Sequence, residues 1–242
     1  MTACKEYKMK IPNNTIEGIF IERLNRFEGI AEIKGRKELL HIPNTGRCRE
    51  LLIAGARIII EVRESNTRKT PYEMIMVYKG DRLVSIDSQA PNKIVEEALK
   101  KGMIEEIGSY GYVKREAYYQ SSRFDLLLKK TEFAEKSDSC YIEVKGVTLE
   151  KDGIAMFPDA PTERGARHLR ELSDARKEGY RAAVIFLVQM EGTRNFMANR
   201  LMDSQFAEAL TAAGDSGVEV LSYDCRVSRQ EIVINKKVEV IL

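Results

Sequence analysis

The sequence predicts an α/β chain (α+β overall) in two parts: a small antiparallel β-barrel, then a mixed sheet flanked by helices. Three observations point there. Residues 14–85 hold short stretches with apolar residues at every second position, separated by turn residues. From residue 86 onward, helical spacing of apolar residues alternates with strand-like runs. The charge balance also shifts. Residues 1–85 carry 16 Lys/Arg against 11 Asp/Glu, a net +5, whereas 86–242 carry 23 against 26, a net −3.

In the first part, "TIEGIFIERL" and "GIAEIKG" alternate as half-buried strands do, and "RIIIEVRES" reads as a buried strand. "YEMIMVYKGDRLVSID" reads as a hairpin turning at Lys79-Gly80-Asp81. "HIPNTGRCREL" is a loop with basic residues. About five short strands in about seventy residues suit an OB-like barrel, a fold that often binds single-stranded nucleic acid in a basic groove.

In the second part, Ile94, Val95, Ala98, Leu99 and Ile104 have helical spacing, with Asn92 placed to start the helix and Gly108 to end it. "YVKREAYYQ", "SRFDLLLKK" and "CYIEVKGVTL" follow as three strands, then a polar loop, "EKDGIAMFPDAP". A helix is expected over 162–179, capped by Thr162 and stopped by Gly179. "AAVIFLVQM" is a buried strand, "NRLMDSQFAEALTAAGDSG" an amphipathic helix, and "VEVLSYDC" a last core strand. The expected domains are thus 1–85, a nucleic-acid-binding barrel, and 86–242, the mixed sheet.

The bulk numbers exclude several classes. The chain has 242 residues, 43% hydrophobic and 31% charged, enough for a core without staples. Cys4, Cys48, Cys140 and Cys225 are scattered, which favours free thiols in a reducing cytoplasm over zinc or disulfides. Two histidines argue against a histidine-rich zinc site. The N-terminus lacks the apolar run of a signal peptide, and no stretch is long enough to span a membrane. Cytoplasmic localisation is the expectation.

Residues 140–149, "CYIEVKGVTL", pose the chemical question. Glu143 and Lys145 sit two apart in an apolar strand and so share a face. Burying either charge alone would cost several kcal/mol. The preceding strand carries Asp125, and a hairpin between 122–130 and 139–149 would bring it beside Glu143. Two close carboxylates repel unless a cation lies between them, and Mg²⁺ or Mn²⁺ suits such oxygen ligands. Such an ion can polarise a phosphodiester and make hydroxide from water, while Lys145 steadies the developing charge. An acid on one strand and Glu-x-Lys on the next is the spacing of the PD-(D/E)xK nucleases. The order helix, three strands, helix, strand is theirs as well. The bland alternative is a surface salt bridge.

Two more groups belong to the candidate set. Glu97 is a candidate third acid, against the alternative of a solvated residue paired with Lys100 or Lys101. Around the start of the following helix, Arg164, Arg167 and His168 share one face and would meet a backbone phosphate at the helix N-terminus. The alternatives are Thr162 as an ordinary cap, arginines as solvated charges and His168 as a satisfied core histidine.

"HIPNTGR", "PNKIVEEAL", "SRFDLLL", "CYIEVKGVTL" and "FPDAPTERGARHLREL", in this order, resemble the sugar fermentation stimulation protein A (SfsA) family, from about residue 14 to the C-terminus. The resemblance implies an OB-like domain followed by a PD-(D/E)xK-like domain. It also implies non-specific DNA binding and a regulatory link to sugar (maltose) metabolism. By motif it places the catalytic set on Asp125, Glu143 and Lys145, and metal ligands on Asp125, Glu143 and Glu97. The "HIPNTGR" loop adds His41, Asn44 and Arg47, and the second motif Asp159, Thr162 and Arg164; with Arg123, Arg167 and His168 these make up the expected nucleic-acid contacts. His41 has a structural alternative, since its loop is a tight turn.

Three functional classes follow: a DNA-binding protein that uses a nuclease-like metal domain for binding, an Mg²⁺- or Mn²⁺-dependent endo- or exonuclease, and a module that binds neither. A homodimer would suit the nuclease fold.

Overall fold

The structure is a computed structural model, and it describes residues 8–63 and 68–242. Cys4 and the end of "RIIIEVRES" lie outside the described residues. The N-terminal barrel is built from β2 (Thr15–Arg23), β3 (Glu28–Ile33), β4 (Arg36–His41), β5 (Arg57–Val62) and β6 (Tyr72–Lys79). β4 pairs with β3, β3 with β2, β2 with β5 and β5 with β6, all antiparallel, and β4 closes on β6 through His41 and Glu73. The result is a five-stranded OB-like barrel. β7 (Arg82–Ser85) returns along β6 as the expected hairpin, and Gly80 takes a φ of +61° in its turn, where other residues would be strained. Phe20, Ala31, Leu40, Ile58, Ile60 and Met74 fill the barrel.

The second part is a seven-stranded mixed sheet. Its strands are β8 (Tyr112–Tyr119), β9 (Ser122–Lys129), β10 (Ser139–Val147), β13 (Arg181–Val188), β15 (Glu219–Val227), β16 (Glu231–Lys237) and, from the N-terminus, β1 (Met9–Lys10). The spatial order is β1-β16-β15-β13-β10-β9-β8, with β10, β13 and β15 parallel and the rest antiparallel. β1 therefore joins the sheet rather than the barrel.

Three helices cover the sheet: α1 (Ala90–Lys100), α2 (Glu163–Lys177) and α3 (Ser204–Asp215). Alternation along β10 divides the core. Cys140, Ile142 and Val144 pack with Ile94, Val95, Ala98 and Leu99 of α1. Tyr141 and Val147 join Leu169 and Leu172 of α2 and Phe206 of α3. The α2-side cluster is continuous with the barrel interior.

Some elements differ from expectation. α1 begins two residues earlier than Asn92, with Pro91 in its first turn, and ends at Lys100 rather than Gly108. Ile104 is buried just beyond it. The "EKDGIAMFPDAP" stretch is not simply a loop: β11 (Leu149–Lys151) and β12 (Ile154–Phe157) form a hairpin there. With β14 (Asn195–Ala198) and β17 (Glu239–Ile241) they make a third, four-stranded sheet. β15 is followed by two further strands. Cys48, Cys140 and Cys225 are free and buried. No helix among the described residues is long and apolar enough to cross a membrane.

Candidate active site

β9 and β10 pair from Lys129–Ser139 to Leu126–Ile142, and the register then puts Asp125 opposite Glu143. The ladder stops there. The Asp125 carboxylate takes its place, with Oδ2 accepting the Val144 N–H at 2.8 Å. Oδ1 accepts from Asn92 Nδ2 of α1 at 2.6 Å. Burial first, and the facing Glu143 charge second, push the Asp125 carboxyl up to about 6, against the Val144 N–H, Lys145 and Asn92.

Glu143 is buried, only 4% exposed. Its Oε1 receives Lys145 Nζ at 2.5 Å and His168 Nδ1 at 2.6 Å. Its Oε2 is buried and has no hydrogen-bond partner among the described residues. Burial works against its charge, yet Lys145 and His168 outweigh burial and hold its carboxyl below the usual carboxylate range. A buried acid that keeps one oxygen without a donor is costly unless something binds it. Asp125 and Glu143 together offer the two-carboxylate set that a hard, strongly hydrated cation takes. No group of three His, Cys, Asp or Glu side chains is gathered around them among the described residues, so the remaining positions would fall to water and phosphate oxygens. On these terms the residues fit a divalent ion.

Glu97 is not brought to this place. It pairs with Lys100 at 3.1 Å. The acid of α1 that lines the groove beside Asp125 is Glu96, held by Lys100 at 2.9 Å and by Arg115. Asn92 and Glu96 are four residues apart, so they share a flank of the helix, and Glu97 lies on the other. The i, i+4 relation between Asn92 and Glu96 was the available signal for both.

His168 does not point outward with Arg164 and Arg167. It is 1% exposed, inside the turn of α2 that packs on the sheet, with its ring edge-on to Phe124 at 5.7 Å. Arg164 is exposed, and its Nε lies 3.3 Å from His168 Nε2. Arg167 is exposed. Thr162 is the cap of α2: its side chain accepts the Gly165 N–H at 3.0 Å, and its own N–H donates to Asp203 at 2.8 Å.

The two most distinctive loops meet each other. Asp159 Oδ2 accepts the Cys48 N–H at 3.2 Å, and Gly46 passes so close that a Cβ there would lie 2.5 Å from that oxygen. Asn44 is buried: its Oδ1 accepts the Gly46 N–H and its Nδ2 donates to Ile86 O. Arg23 braces the loop by donating to the carbonyls of Arg26, Asn44, Gly46 and Arg47. Asp159 thus ties the barrel's loop to the second part, and Asn44 ties that loop to Ile86 just past β7, beside a cleft of about 280 Å³ that Gly146 and Thr162 also line. His41 pairs with Glu73 at 3.2 Å. Arg123 pairs with Glu116 at 3.3 Å. Arg47 is exposed beside Arg26 and Arg49.

Comparison with known proteins assigns the family. A family model described as the sugar fermentation stimulation protein RE domain matches residues 89–231, and one described as the SfsA N-terminal OB domain matches 21–86. The chain belongs to the sugar fermentation stimulation protein family. Among curated relatives, a sugar fermentation stimulation protein homolog of Caldanaerobacter subterraneus subsp. tengcongensis is 51% identical over 97% of this chain and all of its own length. A homolog of Clostridium botulinum is 47% identical over 96% of this chain and 99% of its own. Among solved structures, SfsA of Pyrococcus furiosus in complex with Ca²⁺ superposes with a TM-score of 0.85 at 28% identity, over 98% of this chain and all of that one. The OB domain match falls on the barrel and the RE domain match on the mixed sheet.

Proposed function

We propose that this protein binds nucleic acid, DNA in the first instance and without sequence preference, and presents its backbone to a divalent-metal site on Asp125 and Glu143. The observation that carries the reading is the buried Oε2 of Glu143, unpartnered among the described residues, next to a carboxyl destabilised as an anion by burial and by that same Glu143. A Ca²⁺ complex of the Pyrococcus furiosus relative supports a hard divalent ion at a family site. Bound between the two acids, Mg²⁺ or Mn²⁺ would polarise a phosphodiester and activate water. Asn92 and the Val144 N–H orient Asp125, and Lys145 places a cation within reach of the same phosphate.

The barrel supplies the rest of the surface. Arg26, Arg47 and Arg49 are exposed around a shallow depression at Thr45 and Gly46, on a loop that Arg23 holds rigid. Phe27 is 46% exposed, with the Arg26 guanidinium 5.7 Å from its ring centre. Cations beside an exposed aromatic suit a phosphate backbone with accessible bases.

Cleavage is the second reading, favoured by the presence of Lys145 at the carboxylate pair. Incubation with linear, nicked, branched and single-stranded DNA and with RNA, each with Mg²⁺ or Mn²⁺, tests it. Products that vanish with Glu143→Ala and Lys145→Ala support a nuclease. Metal-dependent binding without products leaves the binding reading alone. Calorimetry in which neither Mg²⁺ nor Mn²⁺ binds would refute the metal site itself.

A further inference from the structure

We propose that His168 is the positioning residue of Glu143, and that Arg164, donating to the other ring nitrogen, supports the imidazole tautomer this requires. The inference rests on the reading of Glu143 as a metal-binding carboxylate. The guanidinium Nε–H of Arg164 can only donate, so His168 Nε2, 3.3 Å away, must accept. A neutral imidazole that accepts at Nε2 carries its proton on Nδ1. That nitrogen lies 2.6 Å from Glu143 Oε1 and donates to it. Both hydrogen bonds therefore run one way: Arg164 donates to the ring, and the ring donates to Glu143, whose ionised carboxylate can only accept.

The consequence is an asymmetric carboxylate. Lys145 donates to the same Oε1 at 2.5 Å, so one oxygen holds two donors and Oε2 holds none among the described residues. The pair of donors on one side fixes the carboxylate plane, leaving the other oxygen with its lone pairs for a cation. The imidazole has no freedom to drift: it is 1% exposed and wedged edge-on against Phe124. Hydrogen-bonded supports of this kind orient a ligating group, and their loss commonly costs about 10- to 100-fold in metal affinity. The sequence position agrees, since residues 164 and 168 are one turn apart on α2, which makes their side chains neighbours.

The test combines spectroscopy with calorimetry on the full chain. In ¹⁵N NMR of the imidazoles, His168 should carry its proton on Nδ1, and a His41→Gln variant assigns the other ring. For Mn²⁺ binding, His168→Leu should weaken affinity by about 10- to 100-fold. His168→Asn, whose amide nitrogen falls near the place of Nδ1, should restore most of it. A residue with only a packing role would show no such rescue. Arg164→Met, at an exposed position, should give a smaller loss and keep the proton on Nδ1, because the Glu143 carboxylate still accepts there. If His168→Leu fails to fold, the tautomer and Arg164→Met decide the matter. A wild-type proton on Nε2, or wild-type Mn²⁺ affinity in a folded His168→Leu, overturns the inference and leaves the metal site standing. Wild-type protein that binds no divalent ion removes both.

Discussion

Two buried glutamates, one in each part of the molecule, are about equally withdrawn from solvent and differently used. Glu73 on the barrel is 5% exposed, and both its oxygens are occupied: Oε1 by Arg63 at 2.5 Å, Oε2 by Arg68 at 2.6 Å and His41 at 3.2 Å. Glu143 on the sheet, 4% exposed, has donors among the described residues on one oxygen only. The first is a closed account of charge that joins β6 to β4 and the segment before it. The second leaves an acceptor inside the protein with nothing to accept. A buried charge whose hydrogen-bonding is incomplete calls for an explanation that a fully paired one does not.

The largest test of that contrast exchanges each acid for its amide. Glu143→Gln should lose Mn²⁺ binding beyond the reach of calorimetry, a fall of at least about 100-fold. Glu73→Gln should leave Mn²⁺ affinity within about twofold and instead lower stability by roughly 1–3 kcal/mol, toward the lower end because Arg63 and Arg68 are partly solvated. Equal loss of metal binding in both variants would break the comparison.

Asp125 sharpens it through pH. Its carboxyl titrates near 6 in the folded chain against an ordinary value of 3.8, so the folded state holds the proton more tightly than the unfolded. In metal-free protein this contribution is complete below about pH 4 and is lost as pH rises through 6, at most about 3 kcal/mol. Asp125→Asn should remove this slope from urea unfolding curves. Mn²⁺ should reverse it for the wild type, because a cation favours the ionised pair. An unchanged slope in Asp125→Asn would mean that another group carries it.

Much of this was readable from residue order. The alternation of "TIEGIF" and "GIAEIKG", the hairpin at Gly80 and the helical stripe Ile94-Val95-Ala98-Leu99 each follow from local periodicity, and each element is present. The strand period also puts Glu143 and Lys145 on one face, and the structure joins them at 2.5 Å. What local pattern does not carry is the neighbour in space. The third sheet draws β11, β12, β14 and β17 from segments up to ninety residues apart, and its strands are three or four residues long. Nothing at that length rises above a loop. Asn44 and Asp159 enter the nucleic-acid set through the family resemblance of their loops. Their hydrogen bonds instead join those loops to the rest of the protein, a use of polar residues that requires knowing the packing. His168 stood equally for a surface group and a core group until its depth was known.

The junction that those loops make offers an intermediate test. A Cβ on Gly46 would lie 2.5 Å from Asp159 Oδ2 and 2.9 Å from Asn44 Oδ1, so Gly46→Ala must displace the side chains whose hydrogen bonds tie this loop down. The expected cost is about 1–3 kcal/mol in unfolding. Mn²⁺ affinity should stay within about twofold, because no bond of Gly46 reaches Glu143. A large loss of metal binding would show that the metal site depends on the junction, contrary to the separation drawn between the two glutamates.

The smallest expected effect lies on the barrel surface, where charge is exposed rather than buried. Arg47 and Arg49 belong to a loop held by Arg23, and each would neutralise about one phosphate. Replacing either with Ala should lower the slope of log K against log salt by about 1 for DNA, at equal cost across sequences. Arg63→Ala, which removes a cation already committed to Glu61 and Glu73, should change that slope little while reducing stability. The two arginine classes separate the sources of the barrel's positive charge: one turned inward to satisfy acids, the other turned outward to meet them. If all three substitutions lowered the slope alike, the barrel would bind by bulk charge, and the braced loop would have no special part in it.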